Sequence, residues 1–101
     1  MPKKYDILYL SIAERDLTDI FEYIYKDNPS VAASFLNTID NTIAKLADFP
    51  EMGKVPNDGR LKNLGYRMLI IEEYIVFYVI KEKIIEIRRI LHGKRKYEFL
   101  L

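Results

Sequence analysis

GYRMLII (Gly65–Ile71), Glu72-Glu73, YIVFYVI (Tyr74–Ile80), Lys81-Glu82-Lys83, IIEIRRIL (Ile84–Leu91) and HGKRK (His92–Lys96) follow one another without a break. Read in order, they are three strand-like runs joined by two short charged links and closed by a basic tail. Links this short force neighbouring strands to run antiparallel. The cationic side chains then gather at one end of a small curved sheet, beside the only histidine of the chain. That chemistry suits phosphate or acidic groups.

Working outward, Tyr5–Leu10 is aromatic and β-branched enough for a first strand. Ser11 and Glu14 have the spacing of a capping box. Leu17, Ile20, Phe21 and Ile24 follow at helical spacing, so a helix is expected to end near Lys26. Asn28-Pro29 predicts a second helix start: asparagine caps, and proline fits the first helical position. Phe35 or Leu36, then Ile39, Ile43 and Leu46, form its apolar stripe, and Phe49-Pro50 stops it. The link between the two helices is short enough to require an antiparallel hairpin. Glu51–Gly59 reads as a loop rich in Gly and Pro, and as the one long, mobile connection. Strands are expected at about Tyr66–Glu72, Tyr74–Lys81 and Ile84–His92. The order β-α-α-β-β-β defines an α+β fold: a small antiparallel curved sheet with a helical hairpin packed on one face.

A length of 101 residues fits a single domain over 1–101. Half of its residues are apolar, enough for one core. No cysteine is present, so disulfides and thiolate metal sites are excluded. No apolar run approaches the roughly 18 residues of a membrane span, and Met1–Asp6 lacks the apolar run of a secretion signal. A soluble cytoplasmic protein without membrane contact is expected. Residues 1–60 carry 7 basic and 10 acidic side chains, and residues 61–101 carry 9 and 5. The positive excess therefore sits on the strands and tail.

Strand side chains alternate between faces. Leu69 and Ile71 are read with Ile75, Phe77 and Val79 as one apolar face, left open for a partner. The helices cover one side of the sheet. The C-terminal segment (Tyr97, Phe99, Leu100, Leu101), a second copy or a partner protein must cover the other. Arg89 points toward core positions in this reading, so either it is paired there or a bulge shifts the register. His92 can serve as a general acid or base, or simply hydrogen-bond to backbone. Arg67, Arg88, Arg89, Lys94, Arg95 and Lys96 match phosphate chemistry or form a solvated rim. Tyr97 can stack on a base or pack on the sheet. No Gly-rich phosphate loop, nucleophile elbow or metal-ligand cluster is found, and no cofactor is expected.

Ala13-Glu-Arg-Asp-Leu17 with Ile20 and Tyr23-Ile24, Ala33 with Phe35 and Ile39, Leu46 with Phe49-Pro50 and Gly53, Tyr66-Arg67, Tyr74–Tyr78 and Ile87–Tyr97 occur in an order that resembles the RelE/ParE superfamily. These are toxins of bacterial type II toxin–antitoxin modules. The resemblance implies neutralisation by a cognate antitoxin, in a homodimer or a toxin–antitoxin heterotetramer. It also implies one of two activities. ParE-like members poison DNA gyrase; RelE-like members cut mRNA on the ribosome. Under the nuclease alternative Arg67, His92, Arg95 and Tyr97 are the catalytic candidates, and Arg88, Lys94 and Lys96 would hold phosphate or a partner. Leu69 and Ile75 stand where further basic residues of a nuclease would be expected. The chain thus resembles the ParE branch more closely. A non-toxic interaction module on the same fold is the third reading.

Overall fold

A computed structural model describes residues 4–101; Met1, Pro2 and Lys3, read above as part of a polar N-terminus, lie outside the described residues. Strand β1 (Asp6–Tyr9) leads into helices α1 (Ser11–Asp27) and α2 (Pro29–Ala44), with a 3-10 turn at Lys45–Ala47. A short helix α3 (Gly59–Asn63) precedes β2 (Tyr66–Ile71), β3 (Tyr74–Lys81) and β4 (Ile84–His92). A last 3-10 turn spans Tyr97–Phe99. The sheet order is β1-β4-β3-β2. The three later strands are antiparallel, as their short links require, but β1 lies parallel to β4, so the sheet is mixed.

Asn28 alone makes the helical hairpin. Its amide donates to Ile24 O at 2.9 Å and closes α1, while its Oδ1 accepts from Val31 N at 3.2 Å and opens α2. The expected Ser11–Glu14 capping box does not form. Leu10 is the capping residue of α1 and makes no side-chain cap, and Ser11 is already helical. Phe35, Ile39, Ile43 and Leu46 are buried against the sheet as their spacing predicts.

The expected shared face of Leu69, Ile71, Ile75, Phe77 and Val79 is corrected by the register. Two-residue turns pair Ile71 with Tyr74 and Leu69 with Val76. Directly opposed residues share a face. Leu69 and Ile71 therefore lie on the helix side with Val76 and Tyr78. Ile75, Phe77 and Val79 lie on the other side with Tyr66 and Met68. All five are buried, Phe77 completely. The chain itself covers the second face, using Leu61 of α3 and Tyr97, Leu100 and Leu101 of the tail. Arg60 holds the tail down, donating to Glu98 O at 2.7 Å and Leu101 O at 2.9 Å. Neither α3 nor this clamp was legible in the residue pattern.

The loop after Phe49 is also less free than its composition predicts. Lys54 and Met68 exchange both backbone hydrogen bonds, at 2.9 and 2.8 Å. The buried Tyr78 hydroxyl donates to Pro50 O at 2.7 Å and accepts from Gly53 N at 2.9 Å. Burial is the main cause that raises the Tyr78 pKa. A Cβ at position 53 would sit 2.7 Å from that hydroxyl and 2.9 Å from Met68 O. Gly53→Ala is expected to cost about 1–3 kcal/mol, read as a lower denaturation midpoint at unchanged slope.

Candidate functional site: a carboxylate-ringed cleft and an edge groove

The structure separates most of the sequence-predicted catalytic set. Arg67 stands beside Tyr78 and His92 beside Tyr74. They are four residues apart along β3 and two strands apart across it, roughly 16 Å by strand dimensions. Arg67 is engaged, donating to Gly53 O at 2.8 Å and, more weakly, to Glu51 O at 3.4 Å. Tyr97 lies on the tail side, its ring 4.8 Å from that of Phe77. Only His92 and Arg95 come together. They line a cleft of about 230 Å³ with Asp19, Tyr23 and Tyr74.

His92 is oriented by its neighbours. Its Nδ1 accepts from Lys94 N at 3.1 Å. In the neutral ring the proton therefore lies on Nε2, which is 3.6 Å from Glu73 Oε2. The nitrogen that could accept a proton is occupied, and the one that could donate faces a carboxylate. Tyr74 packs edge-on against the ring at 5.3 Å. Burial, with the Glu73 charge beside it, raises the Tyr74 pKa.

The remaining candidate cations divide into engaged and free. Arg88 is the extra residue of a bulge in β4, opposite the Phe77/Tyr78 step. It donates to Glu86 at 2.8 and 3.1 Å and lies over the Tyr66 ring at 5.6 Å. Lys94 and Lys96 are exposed. Arg89, left open between pairing and a bulge, meets both. The bulge shifts the register beside it, and its fork donates to Asp16 at 2.7 and 2.9 Å. Asp16 also accepts from Ile90 N at 3.0 Å, because β1 has ended and offers that amide no strand partner. The bonds to Asp16 raise the Arg89 pKa. Asp16 appeared in the sequence only within the Ala13–Leu17 run that carries the family resemblance, with nothing to mark it as the partner of Arg89.

A second feature lies at the free edge of β1. Ile7, Leu8, Tyr9, Leu17, Phe21 and Leu36 line a groove of about 570 Å³ with Glu14, Thr18 and Asp40. Tyr9 donates to Asp40 at 3.0 Å; burial, then the Asp40 charge, raises its pKa. Among the described residues only β4 pairs with β1, which leaves the outer backbone of Asp6–Tyr9 as a strand edge. Leu8 is 49% exposed there.

Residues 7–97 match the family described as the ParE toxin of the type II toxin–antitoxin system, parDE. The chain belongs to that family, and so to the RelE/ParE superfamily of toxins. It is 32% identical over 89 residues to the protein named "Putative toxin Y4kP" of Sinorhizobium fredii (strain NBRC 101917 / NGR234), covering 88% of each. Among solved structures it resembles the chromosomal ParDE toxin–antitoxin system of P. aeruginosa at a TM-score of 0.77 and 20% identity, covering 90% of this chain and 98% of the other. It also resembles the RelBE2 toxin–antitoxin complex of Mycobacterium tuberculosis at a TM-score of 0.59 and 22% identity, covering 88% and 98%. These structural likenesses carry the fold: a helical hairpin on an open four-stranded mixed sheet. No helix among the described residues is long and apolar enough to cross a membrane.

Proposed function

We propose that this toxin arrests growth in the bacterial cytoplasm by binding DNA gyrase, without hydrolytic chemistry of its own, and that a cognate antitoxin neutralises it. The observation that carries this reading is the dispersal of the nuclease candidates. Arg67 is remote and engaged, and Tyr97 is on the opposite face of the sheet. Where His92 and Arg95 do meet, Asp19 and Glu73 stand beside them. An RNA phosphate entering that cleft meets two carboxylates, Asp19 and Glu73, beside the Arg95 guanidinium. A site for phosphodiester cleavage needs the reverse arrangement, with cations aimed at the developing charge.

Purified protein is expected to inhibit supercoiling by gyrase, and induced cells to stop dividing with their transcripts intact. Ribosome-dependent cutting of transcripts that His92→Ala or Arg95→Ala abolishes would overturn the reading in favour of the nuclease.

The antitoxin is assigned to the edge groove, which replaces the sheet face read from the sequence. The groove combines apolar lining, a strand edge and a carboxylate rim. It fits a segment that adds a strand or lays down an apolar stripe and carries a basic residue. Because Leu8 is half exposed, Leu8→Glu is expected to leave the fold intact. It should weaken antitoxin binding at least tenfold, measured by calorimetry on the purified pair. Unchanged affinity would move the antitoxin elsewhere.

A further inference from the structure

The Glu72-Glu73 turn reads from sequence as a short charged link, and the function proposed above gives it no binding partner. In the structure it borders a second cleft, of about 460 Å³, lined by Tyr23, Ile24, Val31, Glu72, Glu73 and Tyr74. This cleft shares Tyr23 and Tyr74 with the one at His92. The two form one aromatic trough across the end of the sheet. Tyr74 is its floor, held edge-on between Phe35 at 5.0 Å and His92 at 5.3 Å. Tyr23 forms a wall and is 72% exposed, so its ring face is open to an incoming group.

The charges around the trough are unbalanced. Asp19, Glu72 and Glu73 face it, and among the described residues Arg95 is the one Lys or Arg that lines it. Asp16 also borders it but is neutralised by Arg89. Among the described residues, Asp19 and Glu72 have no ion pair or side-chain hydrogen bond, and Glu73 has only the His92 contact at 3.6 Å. Clustered like charges raise the energy of the free protein, whereas a cation brought by a partner relieves them. Aromatic faces beside free carboxylates are the complement of one group in particular. A guanidinium is planar and weakly hydrated, stacks on a ring, and forks onto a carboxylate.

We propose that this trough is a docking site for an arginine side chain of a protein partner, stacked on Tyr23 and Tyr74 and paired with Glu73 and Asp19. It is separate from the β1 edge groove and does not depend on the gyrase reading. A nucleic acid would meet the same carboxylates with its phosphates and be repelled.

The test is a titration of the isolated protein with the peptide acetyl-Gly-Arg-Gly-amide, following the aromatic NMR signals of Tyr23, Tyr74 and His92. The arginine peptide is expected to shift all three saturably in the millimolar range. The same peptide with neutral citrulline in place of arginine is expected to leave them in place. Tyr23→Ala, and the double change Asp19→Asn with Glu73→Gln, should each weaken binding about fivefold. Tyr23 and Glu73 are exposed, so a thermal melt should show both variants folded. Equal binding of the citrulline peptide overturns the proposal, as does an arginine effect that these substitutions do not touch. A short RNA oligomer that shifts the same signals would assign the trough to nucleic acid instead.

Discussion

Asp16→Ala is expected to cost about 3–5 kcal/mol, a large part of the total stability of a chain this size. The carboxylate serves two groups. It holds both arms of the Arg89 fork, and it accepts from the Ile90 amide where β1 no longer runs beside β4. The Asp16 and Arg89 side chains are only 11% and 14% exposed. Removing the acid strands a guanidinium and a backbone donor away from water, and unsatisfied buried groups of this kind dominate the cost. Arg89→Ala should cost a similar amount, because the carboxylate is then left alone. Arg89→Lys should rescue little, since an ammonium cannot reproduce the fork. The double variant Asp16→Ala with Arg89→Ala should lose clearly less than the two single losses added, which is the signature of direct coupling. Denaturant melts of the four proteins measure this. A loss below about 1 kcal/mol for Asp16→Ala would show that the pair is solvated in solution.

Phe77→Glu is expected to abolish cooperative folding. On a face left open for a partner this change would weaken antitoxin binding; in the packed structure it unfolds the domain instead. Phe77 is fully buried beneath Tyr97. Even Phe77→Ala should cost about 3–5 kcal/mol, and a carboxylate adds the penalty of burying a charge. Arg89 is its neighbour in the register but is already engaged by Asp16, so no free cation stands ready to compensate. Leu69→Glu should do the same from the helix side, where Leu69 packs in the core of the hairpin. Circular dichroism of the purified variants is the measurement. Two variants that melt cooperatively at wild-type temperature would show that the sheet is not sealed as described.

These two cases show what a single sequence reveals and what it withholds. The strands of the last third, the Asn28-Pro29 junction and the stripe of α2 were legible because each rests on local chemistry: alternation, capping and helical spacing. The face assignments were not. In a two-residue hairpin the pairing sets an odd-numbered residue against an even-numbered one, so Leu69 joins Val76 and not Phe77. Counting along each strand separately misses this. The bulge at Arg88 then reverses the relation for β4, placing Ile85, Ile87 and Ile90 together on the helix side. A bulge is a tertiary event without a fixed residue signature. The candidate site suffered for the same reason. His92 and Arg95 are close in sequence and stayed together. Arg67 and Tyr97 were joined to them only by a register and a face that local pattern cannot supply.

The parallel pairing of β1 with β4 also governs when the molecule can take shape. Tyr9 has left the ribosome long before Ile84 is made, and 75 residues separate them. At about 5–20 residues per second that interval is roughly 4–15 s. Until it ends, the helical hairpin has no complete sheet to rest on, and contacts this distant in sequence form late. The nascent toxin therefore cannot present a finished surface until β4 has emerged beside the waiting β1.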